Sequence, residues 1–230
     1  MIDGKETAHP VIAKQLISRE IPALSVKQTG KDAFHLLSDC HVKHLPVTDE
    51  GRLVGIISEE DIFNHKLYEP IGEYDFSMLR RFSVHEHDHL YEVMRIMGEN
   101  RLTVIPVVDE DEQYLGLVSQ NDLLRAFANT TAFAEPGGIL VLDMPSRDYS
   151  LAEIARLVEE EDTKILNSTV TSSLDSENIE LTLKLNRHDL GRVLATLERH
   201  EYDIKESYLE TEHSEAMNDR YASFMHYLNV

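Results

Sequence analysis

One chemical pattern occurs twice in this chain. A serine is followed three residues later by an aspartate, as Ser58 and Asp61 in GIISEEDI and as Ser119 and Asp122 in GLVSQNDL. A carboxylate at the mouth of a helix can accept both hydroxyls of a ribose. A serine hydroxyl beside the first helical N–H groups can reach a sugar or phosphate oxygen. Taken singly, the spacing reads first as a capping box, in which serine and acid satisfy the first turn of a helix. Its recurrence, with the basic pair Lys43 and His44 ahead of the first copy, turns the reading toward a nucleotide. A second cluster raises the question of a metal: His85, His87 and His89 alternate in VHEHDH and would share one face of a β-strand. The matching stretch of the first copy, VKQTGK, has no histidine, so a polar turn with a helix cap is expected and no metal is assigned.

The elements that must position these residues form an internal repeat. HVKHLPVTDEGRLVGIISEEDIFNH returns about sixty residues later as RLTVIPVVDEDEQYLGLVSQNDLLRAF, pairing Pro46 with Pro106 and Gly55 with Gly116. Each copy opens with a helix. Ala33, Leu36, Leu37 and Cys40 share one face of the first, and Leu90, Val93, Met94 and Met97 share one face of the second. Thr29 and Asp88 are the expected caps. Two strands follow across an acidic turn, and Ser58 and Ser119 then open a second helix. The unit is helix, strand, strand, helix.

This doubled unit, with its PV and its terminal glycine-to-aspartate run, resembles a tandem cystathionine-β-synthase (CBS) pair, the Bateman module. The resemblance implies two units packed by their sheets about a pseudo-two-fold, with clefts that bind adenosine-containing ligands: AMP, ADP or ATP as ligand, with no required cofactor. The carried-over site comprises Lys43, His44, Leu45, Pro46, Ser58, Asp61, Arg101, Pro106, Ser119 and Asp122. Leu45, Pro46 and Pro106 would flank an adenine, since ligand pockets are mostly apolar with few polar anchors. Lys43 and His44 would neutralise phosphate in the first cleft. The second copy has Thr103 and Val104 in their place with only Arg101 near, so that cleft is expected to take a weakly charged nucleoside or nothing.

After Pro136, Gly137 and Gly138 the pattern becomes βαββαβ, which predicts an antiparallel four-stranded sheet with two helices on one face. Ser150 caps its first helix and Glu153 closes a capping box, with Leu151, Ile154, Ala155 and Val158 as the buried stripe. By element order, residues 137–210 resemble an ACT domain. That family usually places glycine where this chain has Asp148 and Tyr149, so a dimerisation role is expected ahead of amino-acid sensing. Tyr221, Phe224, Met225 and Leu228 then recur at helical spacing in a tail expected to pack on its own subunit or its mate.

The expected fold is therefore α+β: a tandem CBS pair over residues 1–134 (units about 10–66 and 67–130), a ferredoxin-like ACT domain over 137–210, and a helical tail over 211–230. The whole arrangement resembles acetoin-utilisation-type CBS/ACT proteins. A formal charge of −20 disfavours nucleic acid and anionic membrane as partners, since both reward a cationic face. A single cysteine, Cys40, forms no internal disulfide, and MIDGKETAHP lacks the charged-then-apolar layout of a secretory leader, so a cytoplasmic protein is expected; the CBS/ACT resemblance implies a homodimer that acts on an unidentified client protein. The motifs of P-loop, zincin and serine-elbow enzymes are missing, which points away from catalysis.

Overall fold

A computed structural model of the protein describes residues 11–64, 67–74, 81–129, 135–172 and 177–208. The tail positions Tyr221, Phe224, Met225 and Leu228 lie outside the described residues. Two compact units meet in sequence between Phe127 and Ala128.

In the first unit each repeat builds a three-stranded sheet. The first contains β1 (Leu24–Ser25), β2 (His44–Asp49) and β3 (Arg52–Ser58), and the second contains β4 (Val84–His85), β5 (Val104–Val108) and β6 (Tyr114–Ser119). In both, the short leading strand runs parallel to the next, which pairs antiparallel with the third. The β2–β3 hairpin closes at Glu50 and Gly51, both with positive φ (46° and 84°), the backbone that suits a two-residue hairpin turn. Alternation along the strands divides their residues. Leu45, Val47 and Ile57 join Ala33, Leu37 and Ile62 in the first repeat's core, while Ile56 from the opposite face of β3 is buried in the core of the second. At the far ends of the hairpins the Tyr114 N–H donates to the Gly51 carbonyl (2.9 Å), tying the repeats a second time.

Helix α2 (Gly30–Cys40) precedes β2 and α4 (Leu90–Asn100) precedes β5, with α3 (Glu59–Phe63) and α5 (Gln120–Ala128) following the hairpins. The predicted stripes are present: Ala33 and Leu37 on α2, and Leu90, Val93 and Met97 on α4, are buried. Thr29 caps α2 as expected. The cap of α4 is His89 rather than Asp88, its Nδ1 accepting from the Tyr91 N–H at 3.2 Å. The Asp88 carboxylate instead accepts from the His85 N–H (2.7 Å) and closes the turn before the helix, as Gln28 does for Ser25 in the first repeat (2.8 Å).

The repeats exchange their leading segments. Helix α1 (Ala13–Leu16) buries Ala13 in the second repeat's core, and the Ala13 N–H donates to the Asp88 carbonyl (2.8 Å). Ile71 and Tyr74, which precede the second repeat in the chain, are buried in the core of the first. Two glycines admit the visitors: a Cβ on Gly30 would lie 2.3 Å from the Tyr74 hydroxyl, and one on Gly116 would lie 2.4 Å from Ile17 Cγ2.

The second unit is an antiparallel sheet in the order β10 (Asp203–Tyr208), β7 (Ile139–Pro145), β9 (Asn178–Leu185), β8 (Ile165–Ser172), covered on one face by α6 (Leu151–Glu160) and α7 (Gly191–Arg199). This is the ferredoxin-like arrangement of a βαββαβ chain. Helix α6 stops at Glu160, and Asp162 beyond it turns left-handed (φ 52°). Its buried stripe is Ile154, Leu157 and Val158, with Leu151 at the exposed end of the first turn. Ser150 caps it, accepting from the Glu153 N–H (3.4 Å). The Glu153 carboxylate goes to the Tyr202 hydroxyl, and burial together with that neighbour raises the Tyr202 pKa.

Candidate functional site

Two clefts lie between the repeats of the first unit, and each draws on both. The first, about 440 Å³, collects Lys43, His44, Ile56, Ser58 and the α3 carboxylates Glu59, Glu60 and Asp61 from repeat one, with Asn100, Arg101 and Leu102 from repeat two. The second, about 130 Å³, collects Ser119, Asp122 and Arg125 with His41, Val42, Thr103 and the segment Ser18, Glu20 and Ile21. Ligand pockets generally run from about 300 to 1,000 Å³, so only the first has room for a small nucleotide.

The serine–aspartate pairs are capping boxes in full. Asp61 Oδ2 accepts from the Ser58 N–H (2.8 Å) and hydroxyl (2.6 Å), while Ser58 Oγ accepts from the Asp61 N–H (3.2 Å). Ser119 and Asp122 repeat this at 3.2, 2.5 and 3.1 Å. The next amide of each helix is also satisfied, Glu59 N–H by the Lys43 carbonyl (3.1 Å) and Gln120 N–H by the Thr103 carbonyl (3.0 Å). The expected row of open helix amides is thus mostly consumed, and the anchoring chemistry rests on side chains. A carboxylate accepts at several lone pairs, so capping and sugar binding are compatible.

Arg101 stands on the opposite side from the sequence expectation. It belongs to the second copy but lines the first cleft, with Lys43 and His44, because the loop ending α4 reaches across to the start of α3. His41 occupies the equivalent place in the second cleft. Both are left-handed residues that end a helix (φ 53° for Arg101, 56° for His41), a position glycine usually holds. Leu45 departs from its expected role: it is fully buried in its own repeat's core. Pro46 and Pro106 are buried within β2 and β5. The apolar walls of the first cleft are Ile56 and Leu102 instead.

Charge separates the clefts. Among the described residues, Lys43 and Arg101 line the first together with Glu59, Glu60 and Asp61. In the second, Arg125 lies 3.9 Å from Asp122, with Glu20 nearby. Sequence reasoning missed Glu59, Glu60, Asn100, Leu102 and Thr103. A strict two-fold reading of the repeat, placing each copy's post-helical loop against the other copy's Ser-x-x-Asp, would have found most of them.

The alternating histidines do not share a face. Strand β4 ends at His85 and the next residues turn, which ends the two-residue periodicity. His87 approaches Glu86 (3.6 Å) and His89 caps α4 while meeting Tyr91 edge-on. Among the described residues, no three His, Cys, Asp or Glu side chains gather into a metal-holding group.

In the second unit a cavity of about 430 Å³ is lined by Asp143, Asp148, Glu153, Glu201 and Asp203 with His200 and Tyr202. Tyr149, which stands where the ACT resemblance leads one to expect glycine, is partly buried against the unit's own core.

Fold and clefts together define an α+β protein whose first unit is a tandem pair of helix-strand-strand-helix repeats. The chain belongs to the CBS domain family, whose model matches residues 13–68 and 71–129, together half of its length. It is 28% identical over 124 residues to an uncharacterized protein of Methanocaldococcus jannaschii, covering 50% of this chain and 44% of that one. It is 33% identical over 133 residues to the L-aspartate semialdehyde sulfurtransferase of the same organism, covering 54% of this chain and 25% of the enzyme. The chain thus spans less than half the length of these relatives. Among solved structures, a CBS domain pair/ACT domain protein of Thermotoga maritima superposes with a TM-score of 0.46 at 24% identity, over 53% of this chain and 99% of that one. No helix among the described residues is long and apolar enough to cross a membrane.

Proposed function

We propose that the protein is a non-catalytic regulator that binds an adenine nucleotide in the first cleft and signals through the arrangement of a homodimer. The observation carrying this is convergence: Ser58 and Asp61 from one repeat and Arg101 from the other line a single cleft with Lys43 and His44. Asp61 accepts the ribose hydroxyls, Lys43 and Arg101 meet the phosphate, and Ile56 and Leu102 flank the base. Because, among the described lining residues, three carboxylates stand beside two fixed cations, each added phosphate is increasingly disfavoured, and AMP is preferred over ADP and ATP. The second cleft, smaller and with Asp122 beside Arg125, is left without a nucleotide.

The second unit serves as an ACT-type dimerisation element. Nucleotide binding has a regulatory effect only if its affinity differs between two arrangements of the dimer. Titration calorimetry of the whole chain tests the site. One AMP per chain is expected, with Asp61→Ala weakening it about 10- to 100-fold, the scale of a hydrogen bond to a charged group, and Asp122→Ala leaving it unchanged. Absence of saturable binding to the wild type would favour a ligand-free scaffold.

A further inference from the structure

Strand β8 (Ile165–Ser172) is an outer strand of the second unit's sheet and, among the described residues, pairs only with β9. An outer strand presents a row of unpaired N–H and C=O groups, which proteins usually guard with charges, proline, bulges or short length. The other outer strand follows that rule: β10 carries Asp203, Lys205 and Glu206, pairs Lys205 with Glu180, and shifts register between Ile204 and Glu206. Strand β8 does not. It runs for eight residues, ILNSTVTS, without a charged side chain, proline or glycine, and its one irregularity falls at its start, between Ile165 and Asn167. Asn167 through Ser172 are all exposed, and among them Val170 is a large apolar side chain left 44% exposed. In a chain of formal charge −20, this uncharged edge is a place where two copies meet without opposing like charges. The sheet face away from the helices is less open, since Val141 and Lys184 on its central strands are only 8% and 9% exposed.

We propose that β8 pairs antiparallel with β8 of a second copy, joining two four-stranded sheets into one continuous sheet. This rests on the homodimer reading above and names its contact in the second unit. Alternation restricts the register. Val170 stands opposite Leu181, a core residue beneath the helices, whereas Thr169 and Thr171 stand opposite Thr182 and Glu180 on the other face. Two strands related by a two-fold across the sheet must match face with face, so the axis passes through a residue and not between two. Placed on Val170, it sets that valine against its twin, Thr169 against Thr171 and Ser168 against Ser172. The exposed apolar side chain of the edge is then withdrawn from water, and no charges oppose each other.

The test uses the full chain. In a Cys40→Ala background, Val170→Cys places two thiols on the axis, at the Cα separation of about 4.5–5.5 Å that directly opposed antiparallel residues have and that disulfides accept. Mild oxidation is expected to convert most of this variant to a covalent dimer, while Tyr208→Cys on the exposed β10 stays largely unlinked. In analytical ultracentrifugation Val170→Lys, its fold confirmed by circular dichroism, should weaken the dimer about tenfold, the combined scale of a lost apolar pair and two opposed charges. A dimer equally strong in Val170→Lys, or thiols at 170 that link no faster than those at 208, overturns the pairing and leaves the homodimer standing. A monomeric wild type overturns both, and leaves the edge to a strand of another protein.

Discussion

A left-handed residue other than glycine is strained by roughly 1–2 kcal/mol, because its Cβ crowds the following carbonyl oxygen, and Arg101 holds that conformation at the rim of the first cleft. Backbone strain at a lining residue motivates a trade-off test. Arg101→Gly is expected to raise stability by up to about 1 kcal/mol, since glycine adopts this conformation at no steric cost, seen as a higher urea midpoint. The same change should weaken AMP about three- to tenfold by calorimetry while sparing adenosine. A stability gain with AMP affinity intact would place Arg101 outside the binding surface. The residue also shows how far the chain could be read in one dimension. Ser58, Asp61, Lys43 and His44 announce themselves by type and spacing, because capping chemistry is local. Arg101 was visible as a cation, but its side of the molecule depends on a loop crossing between repeats, and Thr103 looked like a missing lysine.

At the scale of elements, caps and close approaches dominate. Thr29 and Asp32 are bonded reciprocally, the Asp32 carboxylate accepting from the Thr29 N–H and hydroxyl, both at 2.8 Å. The backbone bond from Thr29 is the main reason the Asp32 pKa is lowered. A carboxylate depressed in the folded state adds stability above its unfolded pKa and loses it as pH falls through the folded value. Urea midpoints of wild type and Asp32→Asn should therefore differ at pH 7 and converge in acid below the ordinary aspartate range. Equal separation at both pH values would assign the effect to something other than that charge. Gly30→Ala sets two effects against each other. Helix propensity favours alanine by about 1 kcal/mol, but the added methyl would sit 2.3 Å from the hydroxyl of the buried Tyr74. Overpacking of this kind costs about 1–3 kcal/mol, so a lower urea midpoint is expected, and a higher one would mean that the 67–74 segment yields easily. The helical stripes and hairpins were legible because periodicity is a local property. The cap of α4 was misplaced by one residue because Asp88 and His89 are both competent, and the turn to His85 takes the aspartate.

For the whole molecule, the proposed dimer has, besides the second unit, candidate contact surfaces on the exposed helical faces of the first. Phe34 and Phe63 meet edge-to-face at 5.8 Å, and Phe63 is 68% exposed. Tyr91 and Leu124 are equally exposed on the second repeat's helices. Analytical ultracentrifugation is expected to show a dimer that Phe63→Asp weakens, and an unchanged dimer in that variant would leave the contact to the second unit alone. Chain order alone could specify two helix-strand-strand-helix copies and a βαββαβ successor, because each element's apolar spacing, turn residues and caps are encoded within a few neighbours. It could also mark the two serine–aspartate pairs, whose mutual bonds span three residues. Which loop faces which pair, the exchange of residues 11–18 and 67–74 between repeats, and the hydrogen bonds of Thr103 to Lys43 and His44 depend on contacts between residues far apart in the chain, from Lys31 with Leu67 to Ser18 with Leu117. Those follow from how two sheets bury their inner faces against each other, and no local pattern carries that information.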